Sequence, residues 1–228
     1  AEDGIRDHCV TGVQTCALPI YYLDKKTDQS EELFYGINTG FGSLCNVKIS
    51  RDQAEQLQEN LVKSHACGLG DEVPNEIVRL MLLLKIQSLS YGNSGTDITT
   101  VWRLIDFYNL GINPVVYDQG SLGASGDLAP LAHLCLPLLG FGSVNYEGRK
   151  FSSAELLPHF KWNALKLKSK EGLALLNGTQ FMSAYGSYIL IRAKQLSAWA
   201  DMISCISIDA FDSRLEPFHS LIHKVRPQ

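Results

Sequence analysis

The tripeptide Ala124-Ser125-Gly126 has the residue types needed to turn its own backbone into a reagent. Held in a tight turn, the Gly126 amide nitrogen can attack the Ala124 carbonyl carbon. Loss of one water from that adduct and a second from the Ser125 side chain leaves a five-membered ring with an exocyclic methylene, which is an electrophile. Small outer residues let the two backbone atoms approach, and glycine tolerates the dihedrals such a turn requires. Intramolecular attack also avoids the entropy cost of bringing two molecules together. Asp127 suits an N-cap and Pro130 suits only a first helical turn, so a helix is predicted directly after Gly126. The ring would then sit at a positive helix end, where developing negative charge is stabilised. Asn93-Ser94-Gly95 is a similar triplet without this context and reads as a turn.

Three further segments carry residues able to act on a small molecule. Tyr35 opens the Gly-punctuated stretch Tyr35-Gly36-Ile37-Asn38-Thr39-Gly40-Phe41-Gly42, which lacks the Gly-Lys-Ser/Thr ending of a nucleotide loop. On residue type alone Tyr35 reads as a packed aromatic. Ser64 and His65 lie at a helix's C-terminal end, where a histidine meets the negative pole. Asn177 stands in Lys170-Glu171-Gly172-Leu173-Ala174-Leu175-Leu176-Asn177-Gly178-Thr179-Gln180, where Asn-Gly alone would read as a helix-breaking turn. Other candidates fall away. His219 and His223 share a helical face, but no third ligand or His-Glu-x-x-His pattern accompanies them, so no metal site is expected. His133 lies in an apolar helix and reads as a packed histidine. A hydrolase nucleophile elbow, Gly-x-Ser-x-Gly, is absent.

The eleven residues from Gly120 to Pro130 resemble the signature of the histidine and aromatic amino-acid ammonia-lyases, and the segments around Tyr35, His65 and Asn177 match that family in the same order. The resemblance covers roughly residues 21 to 228 and implies an all-α fold. That fold is a bundle of long helices assembled as a homotetramer, whose active sites combine residues from several subunits. It implies a cofactor, 4-methylideneimidazol-5-one (MIO), made autocatalytically from Ala124, Ser125 and Gly126, and no external one. By the same resemblance Tyr35 removes the substrate's β-proton, while Asn177 faces the ring and the amino acid.

Within the family, the positions of Ser64 and His65 help choose the substrate. They look apolar in phenylalanine lyases, His-Leu in tyrosine lyases and Ser-His in histidine lyases. Two polar groups suit an imidazole and would pair poorly with a bare phenyl ring. The implied reaction is elimination of ammonia from L-histidine to give trans-urocanate, in histidine degradation. Tyrosine or phenylalanine lyase or aminomutase activity is the alternative within the class, and an inert truncated helical interaction module the alternative outside it. Family members are much longer, and their further C-terminal part carries an Arg for the substrate carboxylate. The chain is therefore expected to be a fragment. Asn93-Ser94-Gly95-Thr96-Asp97 and Tyr117-Asp118 depart from the family pattern.

The elements that must position these residues read as helices joined by Gly- or Pro-marked turns. Ser50 with Gln53 is a capping-box pattern opening a helix through Ala54, Leu57, Leu61 and Val62, ended by Gly68 and Gly70. Pro74 opens the next, apolar nearly all round from Ile77 to Ile86 and so predicted to be buried. Others are predicted from Thr99 to Leu110, from Ser152 with Glu155, and from Thr179 to about Phe211, the last spanning roughly 48 Å. Strand signals are poor apart from Val115-Val116.

The chain has 228 residues, is 45% hydrophobic and carries a net charge of −4. That suffices for a sizeable core, and scattered single lysines and arginines argue against nucleic acid. Lys85, Arg192 and Lys194 break the longest apolar runs, so neither a membrane span nor a signal peptide is expected, and the default location is cytoplasmic. Cys45, Cys67, Cys135 and Cys205 are expected to be reduced and partly buried. Residues 1 to 20, with Cys9 and Cys16, resemble nothing in the family and read as a translated sequencing-adapter remnant. They are set aside as non-native, leaving 21 to 228 as lyase domain.

Overall fold

The computed structural model describes residues 22, 25–26, 32–42, 45–121 and 123–226. The stretch at residues 1 to 20, Leu122 of the glycine-rich segment, Cys9 and Cys16 lie outside the described residues. The chain divides into two compact units, residues 1–185 and 186–228.

In the first unit, helix α1 (Arg51–His65) is followed by strand β1 (Leu69–Glu72), then by α2 (Asn75–Ser90) and α3 (Ile98–Leu110). Short strands β2 (Asn113–Pro114) and β3 (Tyr117–Gln119) precede α4 (Leu128–Cys135), which continues into a 3-10 turn at Leu136–Leu139. Strands β4 (Ser143–Tyr146) and β5 (Arg149–Ser152), α5 (Ser153–His159) and α6 (Glu171–Leu176) lead to the long α7 (Gln180–Ala210). The unit boundary falls within α7. A 3-10 turn at Glu216–Phe218 and α8 (Ser220–Lys224) follow.

Helices dominate, as expected, and the reason is visible in the core. α2 buries Ile77, Val78, Met81, Leu82, Ile86 and Leu89 against Val101, Leu104, Ile105 and Phe107 of α3 and Leu131 and Leu134 of α4. Burying each such side chain contributes about 1.5–3 kcal/mol, so α2, apolar on most faces, is the natural centre. α3 stops where Gly111 takes the left-handed conformation that a C-cap needs, φ 70°. α5 begins where a helix start was predicted, at Ser152 with Glu155, and a capping box forms there, both bonds being present.

Several local expectations need correction. Ser50 occupies the N-cap of α1 without a side-chain capping bond, and that helix stops at His65 with Ala66 as its C-cap, before either glycine. Val115 and Val116 join two strands rather than forming one, and among the described residues there are two small antiparallel sheets, β1 with β3 and β2-β4-β5. The β1–β3 pair matters most. Its register, Leu69 to Gln119 and Glu72 to Tyr117, ties the chain just after His65 to the chain just before Gly120.

The second unit holds the rest of α7 and the short elements after it. Ile189, Leu190, Leu196, Trp199, Ile203, Ile206 and Phe211 are all exposed. Apolar surface of that extent favours association. The 228-residue chain is accordingly expected to run as an oligomer or aggregate in light scattering. A monodisperse monomer would show this surface to be tolerated in water.

Candidate active site

The Ser125 tripeptide sits in a turn that two helix starts hold from below. Gly126 N–H donates to Gly123 O across the turn at 3.3 Å. Gly126 has φ +99°, and a Cβ there would land inside the Gly178 peptide. Only glycine fits, by conformation and by space. Gly126 and Gly178 form an isolated parallel bridge, with Gly178 N–H donating to Ser125 O at 3.3 Å and Asp127 N–H to Gly178 O at 2.8 Å. A tight turn of small residues with no room for a side chain at 126 fits a ring made from 124–126.

Asp127 stands at the N-cap position of α4 but makes no capping bond there, which corrects the sequence reading. Its buried carboxylate instead accepts from Ser121 Oγ at 2.6 Å and from Met182 N–H at 3.0 Å. It therefore caps the first turn of α7, and the N-termini of α4 and α7 both adjoin the turn. Positive ends of two helices favour negative charge between them.

Asn177 is the C-cap of α6, in extended conformation. The opposite end of α6 is fixed by Glu171, buried and accepting from Asp97 N–H at 2.9 Å, Thr100 Oγ1 at 2.8 Å and Lys168 N–H at 2.7 Å. Burial raises the Glu171 pKa above its ordinary value, against those three donors. Gly172 lets α6 press on α1, since a Cβ there would sit 2.8 Å from Gln58 O. At the other end Lys85 of α2 donates to Ala174 O at 3.2 Å and Asn177 O at 2.9 Å. Burial lowers the Lys85 pKa to about 8 and pushes the Cys135 thiol on α4 up to about 12.

Tyr35 lies on a loop knitted by Asn38, which accepts from Phe34 N–H at 2.6 Å and donates to Glu32 O at 2.7 Å. The Tyr35 side chain is exposed, edge-on to Phe41, and its hydroxyl accepts from Gly42 N–H at 3.3 Å. The loop rests on α6, where a Cβ on Gly36 would meet Leu173 at 2.7 Å. Between this loop and α1 runs a groove of about 280 Å³ lined by Gly40, Phe41, Val47, Ile49, Leu57, Asn60, Leu61 and Ser64. That is near the lower limit for a small-molecule site.

His65 Nδ1 lies 2.8 Å from Leu61 O and 3.2 Å from Ser64 Oγ, while Ser64 Oγ also donates to Leu61 O at 3.0 Å. A carbonyl only accepts, so Nδ1 carries a proton, and in the neutral imidazole Nε2 is the acceptor.

The four segments thus converge through their backbones. Loop 32–42 and α1 pack on α6, α6 leads to Gly178 at the turn, and β1–β3 joins the end of α1 to Gly120. The Tyr35 hydroxyl and the Ser64–His65 pair are engaged within their own segments, without bonding to the tripeptide. The cysteines Cys45, Cys67, Cys135 and Cys205 are free, with Cys67 and Cys205 exposed rather than partly buried. Among the described residues no cluster could hold a metal ion.

The aromatic amino acid lyase family model matches residues 13–228. The chain belongs to that family. It is 43% identical over 198 residues to histidine ammonia-lyase of Streptococcus pyogenes, covering 87% of this chain and 39% of that one. The structure of histidine ammonia-lyase from Trypanosoma cruzi superposes with a TM-score of 0.85 at 34% identity, over 95% of this chain and 41% of that one. Pantoea agglomerans phenylalanine aminomutase gives 0.83 at 31%, over 97% and 42%. The chain spans about two fifths of the length of these relatives.

In this aromatic amino acid lyase segment Asp127, Lys85 and His133 have supporting contacts that the sequence did not suggest, and Glu171 was not singled out at all. Isolated charges inside apolar runs were the available signal. His133 is half-buried rather than packed away, and its Nε2 accepts from Gly68 N–H at 3.0 Å. It thereby fastens the chain after His65 to α4. Burial holds its pKa below the ordinary 6.5, so the folded state binds fewer protons than the unfolded one in that window. The stability from this bond is complete above pH 6.5 and is lost as pH falls through the lowered value. Urea midpoints taken from pH 8 to 5 should decline, and less so in His133→Gln. Parallel curves would sever the link.

Proposed function

We propose that this chain is the segment of a histidine ammonia-lyase that makes the electrophile and selects the substrate. The reaction would eliminate ammonia from L-histidine to give trans-urocanate. The observation that carries the reading is the Gly123–Gly126 turn closed by Gly178, at a spot where a side chain on residue 126 has no room. MIO formed there would supply an electrophile for the substrate's amine.

This chain's own residues would do the rest. Gly178 N–H and the starts of α4 and α7 present positive charge to the turn. Asn177, fixed from both ends of α6, would orient the amino acid beside it. Tyr35 would take the β-proton, its oxygen positioned by Gly42 N–H. Ser64 and the unprotonated His65 Nε2 would bond the imidazole, consistent with the 43% identity to histidine ammonia-lyases. The whole protein would be a homotetramer, as the family resemblance implies, with the cytoplasm as its default location. Among the described residues no helix is long and apolar enough to cross a membrane.

The deciding experiment is intact mass and near-ultraviolet absorbance of the purified chain. A ring gives a deficit of two waters and a band that an unmodified helical module lacks. A chain of unmodified mass would end the reading. In a protein completed to the relatives' full length, urocanate distinguishes lyase from aminomutase, whose product would be a β-amino acid.

A further inference from the structure

One peptide unit beside the turn is gripped from both sides. The Asn177 carbonyl accepts from Lys85 Nζ at 2.9 Å, and the N–H on the other side of the same peptide, that of Gly178, donates to Ser125 O at 3.3 Å. Lys85 reaches it from the middle of α2, 1% exposed in an otherwise apolar stretch. Its acceptors are two main-chain carbonyls rather than a carboxylate. A buried ammonium is costly to hold in such a place, and an apolar residue of similar volume is often better for stability.

We propose that Lys85 is a positioning residue for ring formation, aiming and polarising the Asn177–Gly178 peptide so that its N–H holds the Ser125 carbonyl oxygen. The inference rests on the ring assignment above. Hydrogen bonds in series strengthen one another, so a cation on the carbonyl makes the N–H across the same peptide a better donor. The Ser125 carbonyl carbon is bonded to the attacking Gly126 N on one side and to Ser125 Cα on the other, and its oxygen stays on the ring as the ring's carbonyl. Fixing that oxygen fixes the direction from which Gly126 N meets Ala124 C. It also places a donor on the ring's conjugated system, which links the lysine to the ring's absorption. A lysine that merely satisfied the last carbonyls of α6 would affect unfolding but neither the rate of water loss nor the band.

The test uses the 228-residue chain with Lys85→Met, which keeps volume but loses charge and donors, and Lys85→Arg, which keeps both. Each is collected as chain that has never folded, its mass showing both waters still present, and is then folded while helicity, mass and near-ultraviolet absorbance are followed. Lys85→Met is expected to gain its helices yet lose the two waters about tenfold more slowly, with the band displaced in whatever ring forms. Lys85→Arg should recover most of the rate. A folded Lys85→Met with the wild-type rate and band position would overturn the inference while leaving the ring assignment standing. A wild-type chain that never loses two waters would overturn the ring assignment, and this inference with it. Should Lys85→Met fail to gain helicity, Lys85→Gln, which keeps a neutral donor, is judged by the same criteria.

Discussion

Ser125→Ala is expected to fold, keep its helical signal and lose both the near-ultraviolet band and turnover. No hydroxyl remains to leave as water, so the exocyclic methylene cannot form even if Gly126 N still closes on Ala124 C. The side chain is exposed and absent from the core, so stability should change little. In a protein completed to the relatives' full length, kcat should fall by at least about 10³-fold. Mass separates this from a nucleophilic serine: the variant should show at most one lost water, whereas a serine attacking substrate directly would leave the unmutated chain at unmodified mass. Near-normal turnover by the alanine variant would end the MIO reading.

The second large effect concerns substrate choice. Replacing Ser64 and His65 together with an apolar pair is expected to lower kcat/KM for histidine roughly 100-fold, since each lost partner leaves a polar ring atom unsatisfied at about 1–3 kcal/mol. Phenylalanine turnover should fall far less, or rise. The direction follows from the proton on His65. Leu61 O holds Nδ1–H, leaving Nε2 as acceptor for an imidazole N–H, a bond that phenylalanine cannot make. Equal losses for both substrates would place the pair outside the ring-binding site, and a parent enzyme preferring tyrosine would refute the assignment outright.

Much of this was legible because glycine, proline and periodic apolar residues report local rules. The long helix predicted from Thr179 to about Phe211 is found from Gln180 to Ala210, and the helix predicted to start from Ser152 with Glu155 is found at Ser153. Each depends only on neighbours in sequence. What escaped depends on distant partners. Leu69–Glu72 is exposed at every position, so it has no alternation to betray a strand, and only pairing with Tyr117–Gln119 makes it one. Asp127 has the right type and place for a cap on its own helix, yet the amide it finds is Met182's. Lys85 argued against a membrane span by its charge, and nothing nearby in sequence announces that its acceptors lie on α6.

Asp127 and Met182 are 55 residues apart in the chain, and that separation sets a timetable. On the ribosome the future ring segment emerges well before the residues that clamp it. Until Gly178 and the first turn of α7 have been made and have swung back, Gly126 lacks its partner and Asp127 its second donor. Closing such a loop is entropically modest but cannot happen early. The reactive group would therefore mature only after the surrounding helices had docked, and a nascent chain stalled before residue 182 would carry plain Ala-Ser-Gly. On the proposed chemistry the fold would thus withhold its electrophile until there is a structure to contain it.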